Sequence, residues 1–191
     1  FIKYDGLFIN VPRAYNFDHL SQKDIEELIL KQHELGCHTY DHLNAKKVTG
    51  CDYENSILKN RRFMHERFAV ELESFSYPYG FGSITPFAKE ICNRYFNSSR
   101  STIPGVNYGN VDFNFLKANC IYSYVPINKC KELIDMNIKY KGWLIFYTHD
   151  ISDNPSRFGC TLDYFRQIVE YANSTSQILS ISETITHIKN T

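Results

Sequence analysis

Apolar positions recur along this chain at two alternating periods. Behind Ser21 they fall at helical spacing, with Ile25, Leu28, Ile29 and Leu35 on one face. Asp24 stands three residues after Ser21, as a capping box requires, and Gly36 is read as the stop. Asp52 is read as the cap of a second helix, with Ile57, Leu58, Met64 and Phe68 inward. The helical period returns over 84–92, over 129–138 through Cys130, Leu133, Ile134 and Ile138, and after Thr161 through Phe165, Ile168, Val169 and Ala172. Between these lie short runs that predict strands at 1–4, 74–77, 95–98, 143–147 and 177–181, with Ser182 capping a short last helix. The 143–147 run is apolar on both faces, as a buried parallel strand is. Helices alternating with strands predict an α/β fold with a parallel sheet or barrel. Residues 97–110 are the loop-like stretch that would shape a cleft.

Length and composition add little beyond one folded domain, 1–191. The chain is 43% hydrophobic and 15% aromatic, a load that suits a core and also sugar-binding clefts. Twenty-one basic residues balance twenty-one acidic ones, so nothing favours nucleic acid or an anionic membrane. No apolar run approaches the roughly 20 residues that span a bilayer. The six cysteines form no Cys-x-x-Cys pair, so a thiolate zinc site is not expected, and they read as buried thiols of a reducing compartment. With no visible signal peptide this favours the cytoplasm. The chain begins at Phe1 rather than Met, which suggests an upstream segment and keeps the cell envelope open. Oligomeric state is not legible.

The chemistry centres on His38 and His42 in Gly36-Cys37-His38-Thr39-Tyr40-Asp41-His42. Two imidazoles four positions apart, at the end of a helix-to-strand passage, can grip one metal ion. Such spacing also arises among structural histidines, and Cys37 is an alternative nucleophile. Two later segments sharpen the reading. Tyr77-Pro78-Tyr79-Gly80 is a strand running into a Pro-aromatic-Gly turn, and Phe146-Tyr147-Thr148-His149-Asp150 is a strand ending in a histidine.

Together, and in this order, these segments resemble the motifs of the polysaccharide deacetylase family, the NodB-like carbohydrate esterases. The resemblance implies a distorted β/α barrel that lacks its first strand-helix unit here. It implies a metal-dependent hydrolase that removes N- or O-acetyl groups from a polysaccharide or oligosaccharide. His38 and His42 would hold a divalent metal, with zinc the first expectation. His149 would be the general acid, oriented by Asp150 or another carboxylate. A backbone N–H near Tyr79 would stabilise the oxyanion. Pro78, Phe146, Tyr147 and Arg100 would line the substrate site, one of Phe146 and Tyr147 flooring an acetyl pocket.

The chain departs from the family in three places. Ser76 stands where the third motif has Arg, a role Arg100 could take. The fourth motif's Asp and Trp have no counterpart in the region from 100 to 119. The first motif, with its metal-binding and base carboxylates, is missing. Asp5, separated from His38 by one helix, is the early alternative ligand. The chain as given is therefore expected to be inactive or nearly so. A metal-dependent amidase on a non-sugar bond, and an inactive carbohydrate-binding pseudoenzyme, are the competing readings.

Overall fold

The computed structural model describes residues 20–190. The expected strand at 1–4 and Asp5 lie outside them. Helix α1, Gln22–Leu30, begins as expected, with the Ser21 hydroxyl and the Asp24 carboxylate each capping the other's backbone N–H. It ends six residues before Gly36. Gln32 adopts φ 60°, which lets the His33 N–H close on the Leu28 carbonyl at 2.9 Å. That is a left-handed helix stop without glycine, and it moves Leu35 off the helix into the following segment. Helix α2, Gly50–Phe68, is capped by Thr49 rather than Asp52. The Asp52 carboxylate accepts from the Thr49 hydroxyl at 2.6 Å, so Asp52 sits at the third position of the first turn. Tyr53, Ser56, Ile57 and Met64 turn inward from α2.

Strand β1, Ser74–Ser76, pairs in parallel with β2, Ser98–Arg100. The expected strand at 95–98 is displaced because helix α3, Pro86–Tyr95, runs on through Tyr95. β3, Asn119–Cys120, which the sequence pattern did not predict, pairs in parallel with β4, Phe146–Tyr147. Single parallel bridges join Cys37 to Phe75 and Arg100 to Leu116. Neighbours therefore run in chain order from Cys37 through β1, β2 and the Leu116–β3 stretch to β4, each step passing one place along an arc of parallel segments. This is the succession that α/β connections produce.

β4 covers only the end of the expected 143–147 strand, and neither of its residues is fully buried. Trp143 instead bridges Asn107 in antiparallel sense, which also breaks up the loop expected at 97–110. The stretch 177–180 is not a strand. It leads to Ser180, which caps helix α6, Ile181–Lys189, in a box with Glu183, so Ser182 lies within the helix. Helix α5, Leu162–Thr175, starts behind Thr161 as expected and α4, Ile127–Tyr140, two residues early; Cys130, Ile134 and Ile168 face inward, whereas Ile138 and Val169 are exposed at the surface.

The largest apolar cluster joins α1, α2, β1 and α3 through Ile25, Tyr53, Ile57, Phe75, Ile91 and Phe96. A second lies under α4 and α5, through Ile121, Cys130, Ile134 and Ile168. Glu34 fastens the arc to the last helix, accepting from the Ser74 hydroxyl at 2.6 Å and the Ser182 N–H at 2.8 Å. All six cysteines are free thiols. Cys37, Cys92, Cys130 and Cys160 are buried as expected, whereas Cys51 is exposed on α2 and Cys120 only half-buried. Among the described residues, no helix is long and apolar enough to cross a membrane.

Ile57 is wholly buried at the centre of the first cluster. Ile57→Ala should cost about 2–5 kcal/mol in urea unfolding, through lost transfer energy and a cavity. A loss below about 1 kcal/mol would mean that this core collapses freely around the gap.

Candidate active site

The histidine loop leaves the arc immediately after Cys37. The Cys37 N–H donates to the Ser74 carbonyl at 2.8 Å and the Ser76 N–H to the Cys37 carbonyl at 2.9 Å. His38 then turns its Nδ1 onto the Ser76 carbonyl at 2.5 Å. A carbonyl only accepts, so Nδ1 carries the proton and the ring's lone pair lies on Nε2. The His38 and His42 rings meet with centroids 4.8 Å apart.

Thr39 and His42 adopt φ of 60° and 51°. Side chains of α2 hold this strained path. Asn60 donates to the Thr39 carbonyl at 3.0 Å, and the Ser56 hydroxyl accepts from the N–H groups of Tyr40 and Asp41, both at 3.1 Å. The Thr39 hydroxyl accepts from the Leu43 N–H at 3.1 Å. Asp41 belongs to this clamp. Its carboxylate accepts from the Ser56 hydroxyl at 2.9 Å and lies 3.7 Å from the Lys59 ammonium.

A second tight turn, after β1, brings in Tyr79. Pro78 is fully buried beneath it, and Ser83 donates to the Pro78 and Gly80 carbonyls. Tyr79 has φ 59° and Gly80 φ 69°. A side chain at Gly80 would strike the Thr102 hydroxyl, so glycine is required there. The Tyr79 ring lies 4.6 Å from that of His42 and remains 58% exposed. Of the six non-glycine residues with positive φ among those described, Gln32, Ala69 and Lys141 end helices. The other three, Thr39, His42 and Tyr79, gather here. Left-handed residues that end no helix concentrate at functional sites.

His149 follows β4 and packs its ring against Phe158 and Tyr122, at centroid distances of 5.5 and 6.0 Å. The Tyr122 hydroxyl lies 3.4 Å from its Nδ1. Asp150 does not orient it through a hydrogen bond of its own, because its carboxylate accepts from the Ser156 N–H at 2.8 Å and the Ser156 hydroxyl at 2.7 Å. The Asp150 charge favours the protonated His149 ring, against the larger effect of burial. The Arg100 guanidinium lies 4.8 Å from the centre of the Tyr147 ring, and among the described residues no hydrogen bond to a carboxylate holds it. Tyr147 packs against the Leu116–Ile145 cluster beneath this guanidinium, and Phe146 packs against the core under α4 and α5 while lining a cavity with His38 and Arg100.

Electrostatics bind these parts together. Burial and then the neighbouring His42 charge hold His38 down at about 3, with Arg100 opposing protonation as well. Burial holds His42 at about 4, and the charge of His149 works in the same direction. His149 is lowered mainly by burial, with Arg100 adding to it. Neutral imidazoles are the form that ligates a metal. Burial pushes the Cys37 thiol up to about 12, so it stays protonated and is no nucleophile. Tyr122, Ser56 and the Ser76 carbonyl are the site groups that sequence reading missed. The only trace of Tyr122 was its place in a short apolar run after Asn119.

These depressed values have a sign. Free histidine in the unfolded chain titrates near the ordinary 6.5, above the folded values of His38 and His42. As pH falls below 6.5, the unfolded state takes up protons that the folded state refuses. Stability present above 6.5 is therefore lost progressively toward pH 4. In metal-free protein, His42→Asn should flatten that slope, read from urea unfolding at neutral and mildly acid pH. An unchanged slope would assign the acid lability to other groups.

The family model described as polysaccharide deacetylase matches residues 8–93, which include His38, His42 and Tyr79 and stop short of His149. A comparison with curated protein sequences finds no match. Among solved structures, the chain is similar to the Xyl-CE4 domain of a multidomain xylanase from the hindgut metagenome of Trinervitermes trinervoides. Identity is 15% and the TM-score 0.55, over 88% of this chain and 70% of that one. It is similar to the deacetylase PplD of Streptococcus pyogenes, solved with acetate, at 14% identity and TM-score 0.51, over 56% of this chain. The match takes in only 46% of the length of PplD. It is also similar to a CE4 family pseudoenzyme from Bacillus anthracis, at 12% identity and TM-score 0.51, over 85% of this chain and 50% of that one. The fold is similar to that of these three structures, and with the match over residues 8–93 it bears out the resemblance of this chain to the polysaccharide deacetylase family.

Proposed function

We propose that the protein is a metal-dependent hydrolase that removes acetyl groups from a polysaccharide or oligosaccharide. On this reading 1–191 is one domain, and the arc of parallel segments is part of a distorted β/α barrel. The observation that carries the proposal is the meeting of His38 and His42, 4.8 Å apart, with Tyr79 against His42 at 4.6 Å.

The two rings suit a divalent ion such as zinc. Both are neutral at pH 7, and His38 is locked in the tautomer that presents Nε2. Bound there, the ion would supply Lewis-acid polarisation of a carbonyl oxygen and of a water molecule. Among the described residues no third His, Cys, Asp or Glu joins the pair in a metal-holding group. A carboxylate ligand and the base would have to come from outside them, where Asp5 stands in the sequence.

The remaining roles fall to residues already placed. The Tyr79 turn offers a backbone N–H to the developing oxyanion. His149 gives a proton to the departing sugar nitrogen or oxygen, with the Tyr122 hydroxyl holding its ring. Tyr147 and Arg100 form a wall for the acyl group. A second reading, an inactive carbohydrate-binding pseudoenzyme, draws support from that same want of a third ligand.

Acetate release from N-acetylated chito-oligosaccharides and acetylated xylan, with zinc bound, separates the readings. In a chain that also supplies the first-motif carboxylates, His149→Ala should cut turnover by about 10²–10⁴-fold and leave zinc content intact. Loss of zinc in that variant would make His149 a ligand. Glycan binding without acetate release would leave the pseudoenzyme reading standing, and release from small non-sugar amides alone would shift the substrate class.

A further inference from the structure

The proposed chemistry uses Arg100 as a wall and leaves its charge unanswered. Arg100 ends β2 in register with Ser76, the last residue of β1. Residues paired in this way project to the same face of a sheet. Both line one cavity with His38 and Phe146. The Ser76 hydroxyl is buried, and among the described residues nothing bonds to it. Among the same residues the part-buried Arg100 guanidinium bonds only the Ser101 carbonyl, at 3.5 Å, and meets no carboxylate. Burial lowers its pKa, and the groups that oppose this are the phenols of Tyr147 and Tyr122 rather than an acid. Arg61, also part-buried, is treated differently by the fold. It donates to the Leu72 and Tyr95 carbonyls at 2.9 and 2.7 Å and has the Glu71 carboxylate 3.8 Å away. A cation withdrawn from water without a counter-charge is costly, and so is an orphaned hydroxyl. Side by side on two strands, they are donors that lack an anion.

We propose that Ser76 and Arg100 bind a carboxylate carried by the substrate, a uronic acid in or next to the acetylated unit, so that the glycan is an acidic one. This rests on the reading of the site as acting on acetylated glycan. The planar guanidinium offers parallel N–H groups that match the two oxygens of a carboxylate, and the hydroxyl adds another donor. One cation answers one negative charge, which favours a carboxylate over a phosphate dianion. The place also fits a sugar. The Arg100 charge opposes protonation of both His38 and His149, so the guanidinium lies within reach of the proposed metal ligand and of the proposed acid. A sugar whose acetylated atom is held between those two histidines brings its ring substituents toward Arg100. The rival occupant is a carboxylate of the chain itself from outside the described residues, which would leave no room for an added one.

The test is binding to the full chain by NMR or calorimetry, with no dependence on turnover. Two acids serve as probes, N-acetylglucosaminuronic acid and the disaccharide of glucuronic acid with N-acetylglucosamine. Each is compared with its uncharged methyl ester, and acetate alone is the control. In at least one pair the acid should bind about 10-fold more tightly than its ester. The pair that shows it tells whether the carboxylate sits on the acetylated unit or on its neighbour. Arg100→Met should bring acid and ester within about twofold of each other. Arg100→Lys should keep only part of the preference, because the charge stays and the fork is lost. Ser76→Ala should reduce it about threefold. These two variants carry the test where Arg100→Met does not fold. Equal binding of acid and ester by the wild type, or a preference that all three variants retain, would overturn the carboxylate site and leave the glycan reading in place. Acetate bound as tightly as the uronates, with the same dependence on Arg100, would assign the pair to the released product and overturn the acidic substrate. Wild-type protein that binds none of the sugars would instead overturn the site reading itself.

Discussion

The site depends on a short piece of parallel pairing, the two hydrogen bonds that join Cys37 to β1. They bring the histidine loop out of the arc beside the Tyr79 turn, since both leave adjacent segments in the same direction. The same pairing sets the Ser76 carbonyl under His38, where it fixes the ring and its tautomer. Ser76 thus serves the sheet through its N–H and the His38 ring through its carbonyl. Without that register, His38 and His42 would still be four apart in sequence, and nothing would turn them toward Tyr79.

Much of the helical framework was legible because its signals are local. Ser21 with Asp24 and Thr161 mark their helix starts through side chains that compete for backbone N–H groups. The ends were harder. Gln32, Ala69 and Lys141 close or follow helices in left-handed conformation without being glycine, so the expected punctuation is missing. The strands were hardest, because β3 and β4 are two residues long and period-two patterning needs more than that to be seen. Trp143 looked like strand because it is apolar, yet its place is set by a partner 36 residues away, Asn107.

In the candidate site, the residues read from spacing and turn chemistry were found together, and those that depend on distant partners were not. His38, His42 and Tyr79 announce themselves within short motifs. Ser56 is an ordinary helix serine in the sequence, and Tyr122 an ordinary tyrosine; only folding gives them Asp41 and His149 as neighbours. Asp150, one candidate to orient His149, shows the same dependence, since its carboxylate accepts from Ser156, six residues on.

The left-handed backbone at Thr39, His42 and Tyr79 bears on how the molecule comes apart. Each such residue carries roughly 1–2 kcal/mol of steric cost, so together they approach the lower end of the roughly 5–15 kcal/mol that separates a folded domain from its unfolded state. The loop that holds two of them is kept in shape from outside, by Ser56 and Asn60 of α2. The bonds that hold it run to buried groups, the Ser56 hydroxyl and the Thr39 backbone and hydroxyl, so the strain is carried by the inner face of α2. A lesion on that face would erase the site's geometry while most of the fold still stood.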